Sequence, residues 1–204
     1  MKCQTVGLAI LTLSLSLSAT AQDKNAALSQ YLASESVCKA SSSAENWETA
    51  EADCNKALAD SAKLSAKYKR EKMNALTNYA FTLFSQSKFD KAQINFTKAL
   101  TIGKTFLTST SPDLGLAYFN VARAYQGMAS ITGKYIDPAE TNYLQAEKIY
   151  RAAYNKATDA TLKAEMKALV RKPIILLNYI AVMRGDEVKV KATQARLDEL
   201  DEAK

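Results

Sequence analysis

The side chains best able to do chemistry in this 204-residue chain are two cysteines, Cys38 and Cys54, which follow an isolated Cys3 near the start. No histidine accompanies them, which removes the commonest general base, the usual serine and cysteine triads and most zinc sites. Two cysteines alone do not close a zinc site, so no metal is expected. No glycine-rich phosphate loop is present: "SITGK" (130–134) lacks both the first glycine and the hydroxyl residue after lysine that a phosphate cradle needs. Carboxylate pairs occur at Glu48 with Glu51 and at Asp198 with Asp201. They stand on charged helical stretches, where nothing would raise a pKa toward the range of a general acid. These residue types point away from an enzyme and from any cofactor.

The amino terminus supplies the compartment in which the cysteines are read. Met1-Lys2 precedes the apolar "VGLAILTLSLSLSA" (6–19) and then Ala19-Thr20-Ala21, the order of a secretory signal, with cleavage expected after Ala21. The apolar run is short of the roughly 20 residues that span a bilayer. Cys3 precedes that run rather than following it, which rules out a lipoprotein and sends Cys3 away with the signal, residues 1–21. Residues 22–204 form a single domain. In an exported chain the remaining pair, Cys38 and Cys54, is expected to be bridged. The destination is the periplasm or the exterior.

Charge is mild, 27 Lys and Arg against 21 Asp and Glu, a net +6. It is too diffuse to indicate nucleic acid. The densest basic run, "KLSAKYKREK" (63–72), reads as a solvated helix face. Between the signal and the end there are few glycines and prolines while Ala, Leu, Lys, Glu and Gln dominate, so the chain reads as successive helices with short connections.

Sliding the sequence on itself exposes a repeat. At an offset of 42, "MNALTNYAFTLF" (73–84) lies over "GLAYFNVARAYQ" (115–126), matching Ala75 with Ala117, Asn78 with Asn120 and Ala80 with Ala122. The same offset places "NWETAEADCNKAL" (46–58) over "KFDKAQINFTKAL" (88–100), so that Cys54 lies over Phe96. A third copy of this second helix, "NYLQAEKIYRAAY" (142–154), carries Tyr143, Ala146, Tyr150 and Ala153 at the same spacing. The extra residues before it have a seat in "GMASITGKYIDP" (127–138), whose two glycines and one proline predict an inserted loop. A degenerate fourth unit is expected over 173–200, since "NYIAVMRGDEVKVKA" (178–192) echoes "NYAFTLFSQSKFDKA" (78–92). The other units lie near 31–58, 73–100 and 115–154. Large and small residues alternating three and four apart share one helical stripe, so antiparallel helices can approach closely. A lone hairpin cannot bury both of its faces, and the units must stack.

These motifs resemble the tetratricopeptide repeat family. The usual period there is roughly 34; the period of 42, with "SPDLGLAYFNVARAY" (111–125) leading into Asn120-Val121-Ala122, is similar to the kinesin-light-chain-like variety. Asn78-Tyr79-Ala80 fits the same motif and Asn178-Tyr179-Ile180 fits it in part. The resemblance implies an all-α fold, a right-handed α-solenoid of about three to four antiparallel hairpins, and the binding of a protein or peptide within a larger assembly. It also implies a concave groove lined by the first helices, here carrying Asn74, Thr77, Asn78 and Phe81, then Leu116, Phe119, Asn120 and Arg123, with Asn178 in the last unit.

An amide both donates and accepts, so Asn78, Asn120 and Asn178 could hold an extended peptide backbone, or could bond a neighbouring repeat instead. Phe81, Leu116 and Phe119 fit an apolar groove and fit packing between units equally. The lysines of a terminal-carboxylate clamp are missing. The expected function is an exported, non-enzymatic adaptor for a peptide or protein partner in an envelope complex; the alternative is a structural spacer or self-associating scaffold subunit whose ends pair between chains. Cys38 and Cys54 occupy facing slots of the first hairpin, whose serine-rich "SESVCKASSSA" (34–44) is a poor helix former.

Overall fold

The computed structural model describes the backbone of residues 6–202 and the side chains of residues 25–202. The expected signal segment and Cys3 lie outside the residues with described side chains. Among the described residues the chain is all helix: α1 (Val6–Ser43), α2 (Trp47–Ala62), α3 (Lys69–Ser85), α4 (Phe89–Gly103), α5 (Pro112–Thr132), α6 (Ile136–Lys156), α7 (Ala160–Met183) and α8 (Glu187–Glu202). Each helix packs on the next, and α1 also touches α3. Four antiparallel hairpins therefore stack in chain order, an all-α solenoid.

Local chemistry sets the helix ends. Asn46 caps α2 by accepting from the Thr49 amide at 3.4 Å, Asp159 caps α7 by accepting from Leu162 at 2.9 Å, and Pro112 stands in the first turn of α5. A proline there loses no helical hydrogen bond. The stripes expected from the repeat are buried: Ala80 and Leu83 face Ala92, Phe96 and Ala99, while Ala122 meets Ala139 and Tyr143. A third cluster joins Ala146 and Tyr150 of α6 to Val170 and Ile174 of α7 and Leu197 and Leu200 of α8. The core is thus a row of interfaces and not one central mass.

Two boundaries differ from the expectation. Residues 127–138 do not form a loop: α5 continues to Thr132, and α6 begins at Ile136 after a turn containing Gly133 and Tyr135 at positive φ. The glycine and proline that suggested a loop have helical reasons for being there. A Cβ at Gly127 would lie 2.5 Å from the Phe89 ring, so Gly127 marks a close contact between hairpins. Pro138 sits in the first turn of α6, where a missing amide hydrogen is tolerated. The insertion lengthens both helices, and Tyr125 stacks on Tyr135 across the new turn at 6.1 Å. The fourth unit likewise does not begin at Pro173, because that residue lies buried inside α7, which starts at Ala160.

The first hairpin is held by a covalent link that the others lack, together with a buried polar cluster. Cys38 and Cys54 are fully buried and joined as a disulfide, with 4.6 Å between their Cα atoms. Closing a loop of this size is worth on the order of 3 kcal/mol in the chain-entropy account. The Thr82 hydroxyl of α3 donates to Cys54 Sγ at 3.4 Å and Tyr79 packs alongside, tying the bridge to the second unit.

Further along α2, Asp60 is buried and accepts from Gln30 (2.8 Å), Ser34 (3.0 Å), Lys56 (3.2 Å) and Lys63 (2.7 Å). The hydrogen bond from Lys63, with those from Ser34 and Lys56, holds the Asp60 carboxyl below its usual range despite burial. A carboxyl whose folded pKa is depressed stabilises the fold above its unfolded value, about 3.9, and that contribution is lost as pH falls through the folded value. Asp60→Asn is expected to cost about 1–3 kcal/mol at pH 7, measured by urea unfolding, and to cost less at pH 3. An equal penalty at both pH values would contradict this role.

Candidate functional site

The odd-numbered helices supply the face on which the expected groove residues were placed, and their environments divide those residues. Asn74 and Leu116 are exposed. Thr77 directs its hydroxyl to the Met73 carbonyl of its own helix at 2.9 Å. Asn78 Nδ2 donates to Glu35 Oε1 of α1 at 3.5 Å, and Glu35 also pairs with Lys39. Asn78 thus links neighbouring hairpins. Phe81 remains 40% exposed with its edge toward Trp47 at 6.1 Å.

Phe119 is half-buried. Its ring meets Tyr143 edge-on at 5.5 Å and packs on the clusters that join the third unit to the fourth, so it serves packing between units. Asn178 is also misplaced by the sequence echo. It accepts a hydrogen bond from the buried Thr193 hydroxyl at 2.7 Å and so faces α8, its own second helix. The register of α7 is set by that pairing and by its start at Ala160. Leu176, two positions earlier, takes the place facing Phe84 and Arg123.

Asn120 and Arg123 form the most distinctive pair on this face. Asn120 is 8% exposed and makes no side-chain hydrogen bond among the described residues, although neither amide atom is sealed from solvent. Its amide atoms are therefore left to solvent in the free chain and are available to a ligand. One turn on, the Arg123 guanidinium lies over the Phe84 ring at 4.4 Å, with no carboxylate partner among the described residues. Arg123 borders a recess of about 290 Å³ with Phe84 of α3, Gln126, Gly127 and Ser130 of α5, and Leu176 of α7.

Three hairpins contribute to this recess. Gln126 accepts from the Tyr143 hydroxyl at 2.5 Å, which fixes its amide orientation. Burial raises the Tyr143 pKa while the Arg123 charge opposes that shift. A cation stacked on an aromatic face keeps its N–H edge free. An amide beside it offers both a donor and an acceptor. The combination can hold the carbonyls of an extended chain or a carboxylate. Phe84, Gln126 and Leu176 were not anticipated; the signal for Gln126 was its three-residue spacing from Arg123, that for Leu176 was the true register of α7, and that for Phe84 was its three-residue spacing from Phe81.

A larger, polar cavity of about 580 Å³ opens between α2 and α3, bordered by Glu48, Glu51, Asn55, Tyr79, Gln86 and Lys88. Glu51 pairs with Lys88 at 2.5 Å, and that hydrogen bond is the main cause holding the Glu51 carboxyl below its usual range. An ion pair of this kind keeps the group charged at neutral pH. Asp201 pairs with Arg171 and Asp198 accepts from Gln194.

No family model matches the chain, and no curated protein matches it. Among solved structures, the crystal structure of BtubC (BKLC) from P. vanneervenii is similar at 13% identity over 89% of this chain and 91% of that one, with a TM-score of 0.47. The arrangement of hairpins described above stands on this chain's own contacts.

Because Asn178 serves the α7–α8 pairing, Asn178→Ala is expected to lower stability by on the order of 1 kcal/mol, seen as an earlier denaturant midpoint. An unchanged midpoint would return Asn178 to the groove.

Proposed function

We propose that the chain is an exported, non-enzymatic adaptor of the kinesin-light-chain-like tetratricopeptide kind, which holds an extended segment of a partner protein along its odd-numbered helices within an envelope complex. The observation that carries the reading is the pairing of Asn120, whose solvent-accessible amide has no side-chain hydrogen-bond partner among the described residues, with Arg123, a stacked cation with no carboxylate partner among them, beside a recess shared by three hairpins. Rigid helices hold these groups before any ligand arrives, which lowers the ordering cost of binding. Leu116 and Phe81 extend the same face with exposed apolar surface.

Support for the compartment comes from the buried Cys38–Cys54 bridge, since disulfides persist in oxidising surroundings. No helix among the described residues is long and apolar enough to cross a membrane. Support for the family comes from the period of 42 and the two Asn-large-Ala motifs at Asn78 and Asn120. The two asparagines have separate duties in this reading: Asn78 binds the neighbouring unit and Asn120 binds the ligand.

The test is crosslinking in the native envelope, comparing the parent chain with Arg123→Ala and Asn120→Ala. Loss of a hydrogen bond to a charged group costs about 1.5–3 kcal/mol, so about a 10- to 100-fold weaker association is expected for Arg123→Ala. Asn78→Ala should reduce stability and leave association nearly intact. Equal recovery of partners by all variants would overturn the reading.

A further inference from the structure

The polar cavity of about 580 Å³ between the first two hairpins takes no part in the Asn120–Arg123 recess. Its volume falls within the about 300–1,000 Å³ of small-molecule sites. Glu48, Glu51 and Asn55 border it from α2, Tyr79 from α3, and Gln86 and Lys88 from the turn before α4. Three of these groups are held before any ligand arrives. Tyr79 packs on the Cys38–Cys54 bridge, Gln86 donates to the Trp47 carbonyl at 3.0 Å, and Lys88 is held on Glu51. Burial raises the Tyr79 pKa, the Glu51 charge adds to the rise and Lys88 opposes it, so the phenol stands in the field of both. The Tyr79 hydroxyl, the Asn55 amide and the Glu48 carboxylate have no hydrogen-bond or ion-pair partner among the described residues, and none of them is sealed from solvent.

Charge and hydrogen-bonding groups together indicate what the cavity takes. Glu51 is paired with Lys88 and also feels Lys91, so with Glu48 the local charges balance. A free cation would meet Lys88, and a free anion would meet Glu48. An amino-acid zwitterion would need Lys88 released from Glu51. Ala52 is the one aliphatic side chain on the border among the described residues, which disfavours an apolar ligand. What remains is a carboxylate that accepts, an amide that does both through separate atoms, and a hydroxyl that does both through one. Neighbouring hydroxyls on a sugar ring also donate and accept at each oxygen. They satisfy this mixed set without bringing a charge.

We propose that the cavity between the first two hairpins is a binding site for a neutral, polyhydroxylated ligand, a saccharide unit held by Glu48, Asn55 and Tyr79. The site shares no residue with the Asn120–Arg123 recess, so it is independent of what the odd-numbered helices bind.

Amide NMR titration of the disulfide-bridged chain with N-acetylglucosamine and with maltose tests this. Shifts are expected at Ala52, Asn55, Tyr79 and Gln86, with a dissociation constant on the order of 1 mM for so open a site. Tyr79→Phe keeps the ring packing and loses the hydroxyl, and Asn55→Ala loses an exposed amide, so each should fold as the parent does and bind about 3- to 10-fold more weakly. Asn120→Ala should bind these sugars like the parent. The linear trimer of N-acetylglucosamine separates the two sources of such a ligand: tighter binding than the monomer upholds the site as one for a glycan chain, and equal binding upholds it as one for a free sugar. No shift with either sugar at about 50 mM, affinity unchanged in both Tyr79→Phe and Asn55→Ala, or displacement of the sugar by an equal concentration of alanine would overturn the proposal.

Discussion

Close approach between helices governs everything else in this structure. A hairpin made of these sequences can bury only one stripe of each helix against its own partner, and the remaining apolar surface must be covered by the neighbouring unit. Small residues make that coverage dense. Ala80, Ala92 and Ala99 bring α3 to α4, Ala122, Ala139 and Ala146 bring α5 to α6 and α7, and the bare backbone of Gly115 accepts the Tyr150 ring. The stability of the chain is accordingly a series of neighbour contacts, and each end has its own problem. At the beginning, a serine-rich helix is secured by the disulfide and by the buried Asp60 with its four donors. The far end is secured more simply, by Thr193, Leu197 and Leu200 of α8 against α7.

The exposed row along the odd-numbered helices is a consequence of the same constraint. Once a first helix has spent one face on its own second helix and its flanks on neighbouring units, a single row is left over, and residues in that row are judged by what stands next to them. Asn78 and Asn120 share a motif but not a role, because α1 offers Glu35 to the first and α3 offers no partner to the second. Arg123 and Phe81 occupy the same repeat position; one stacks on Phe84 and the other leans toward Trp47. A shared scaffold thus places different chemistry at successive steps along one surface.

The architecture was legible because several large and small positions repeated together, and a coincidence of Ala75 with Ala117, Asn78 with Asn120 and Ala80 with Ala122 is hard to produce without stacked hairpins. The bridge between Cys38 and Cys54 followed from facing slots in the first of them. Local signals misled where tertiary contact decided the matter. Gly127 resembled a loop residue but is needed under Phe89, and Pro173 resembled a helix start but is accommodated inside α7. The apparent motif at Asn178 misassigned the last unit by two positions, which turned an α8-facing amide into a groove residue and hid Leu176. Phe119 could not be assigned from one helix alone, since its neighbours come from α6 and α7.

The most direct measurement of the underlying claim is the stability of Gly115→Ala. Alanine is the better helix former by about 1 kcal/mol, so a helix that needed only propensity would gain from the change. A Cβ at this position would lie 2.6 Å from the buried Tyr150 ring, which belongs to the cluster joining α6, α7 and α8. Overpacking of this kind costs about 1–3 kcal/mol. Close approach therefore predicts an earlier unfolding midpoint in denaturant, with the loss propagated to the last hairpin in hydrogen exchange. A later midpoint would contradict it.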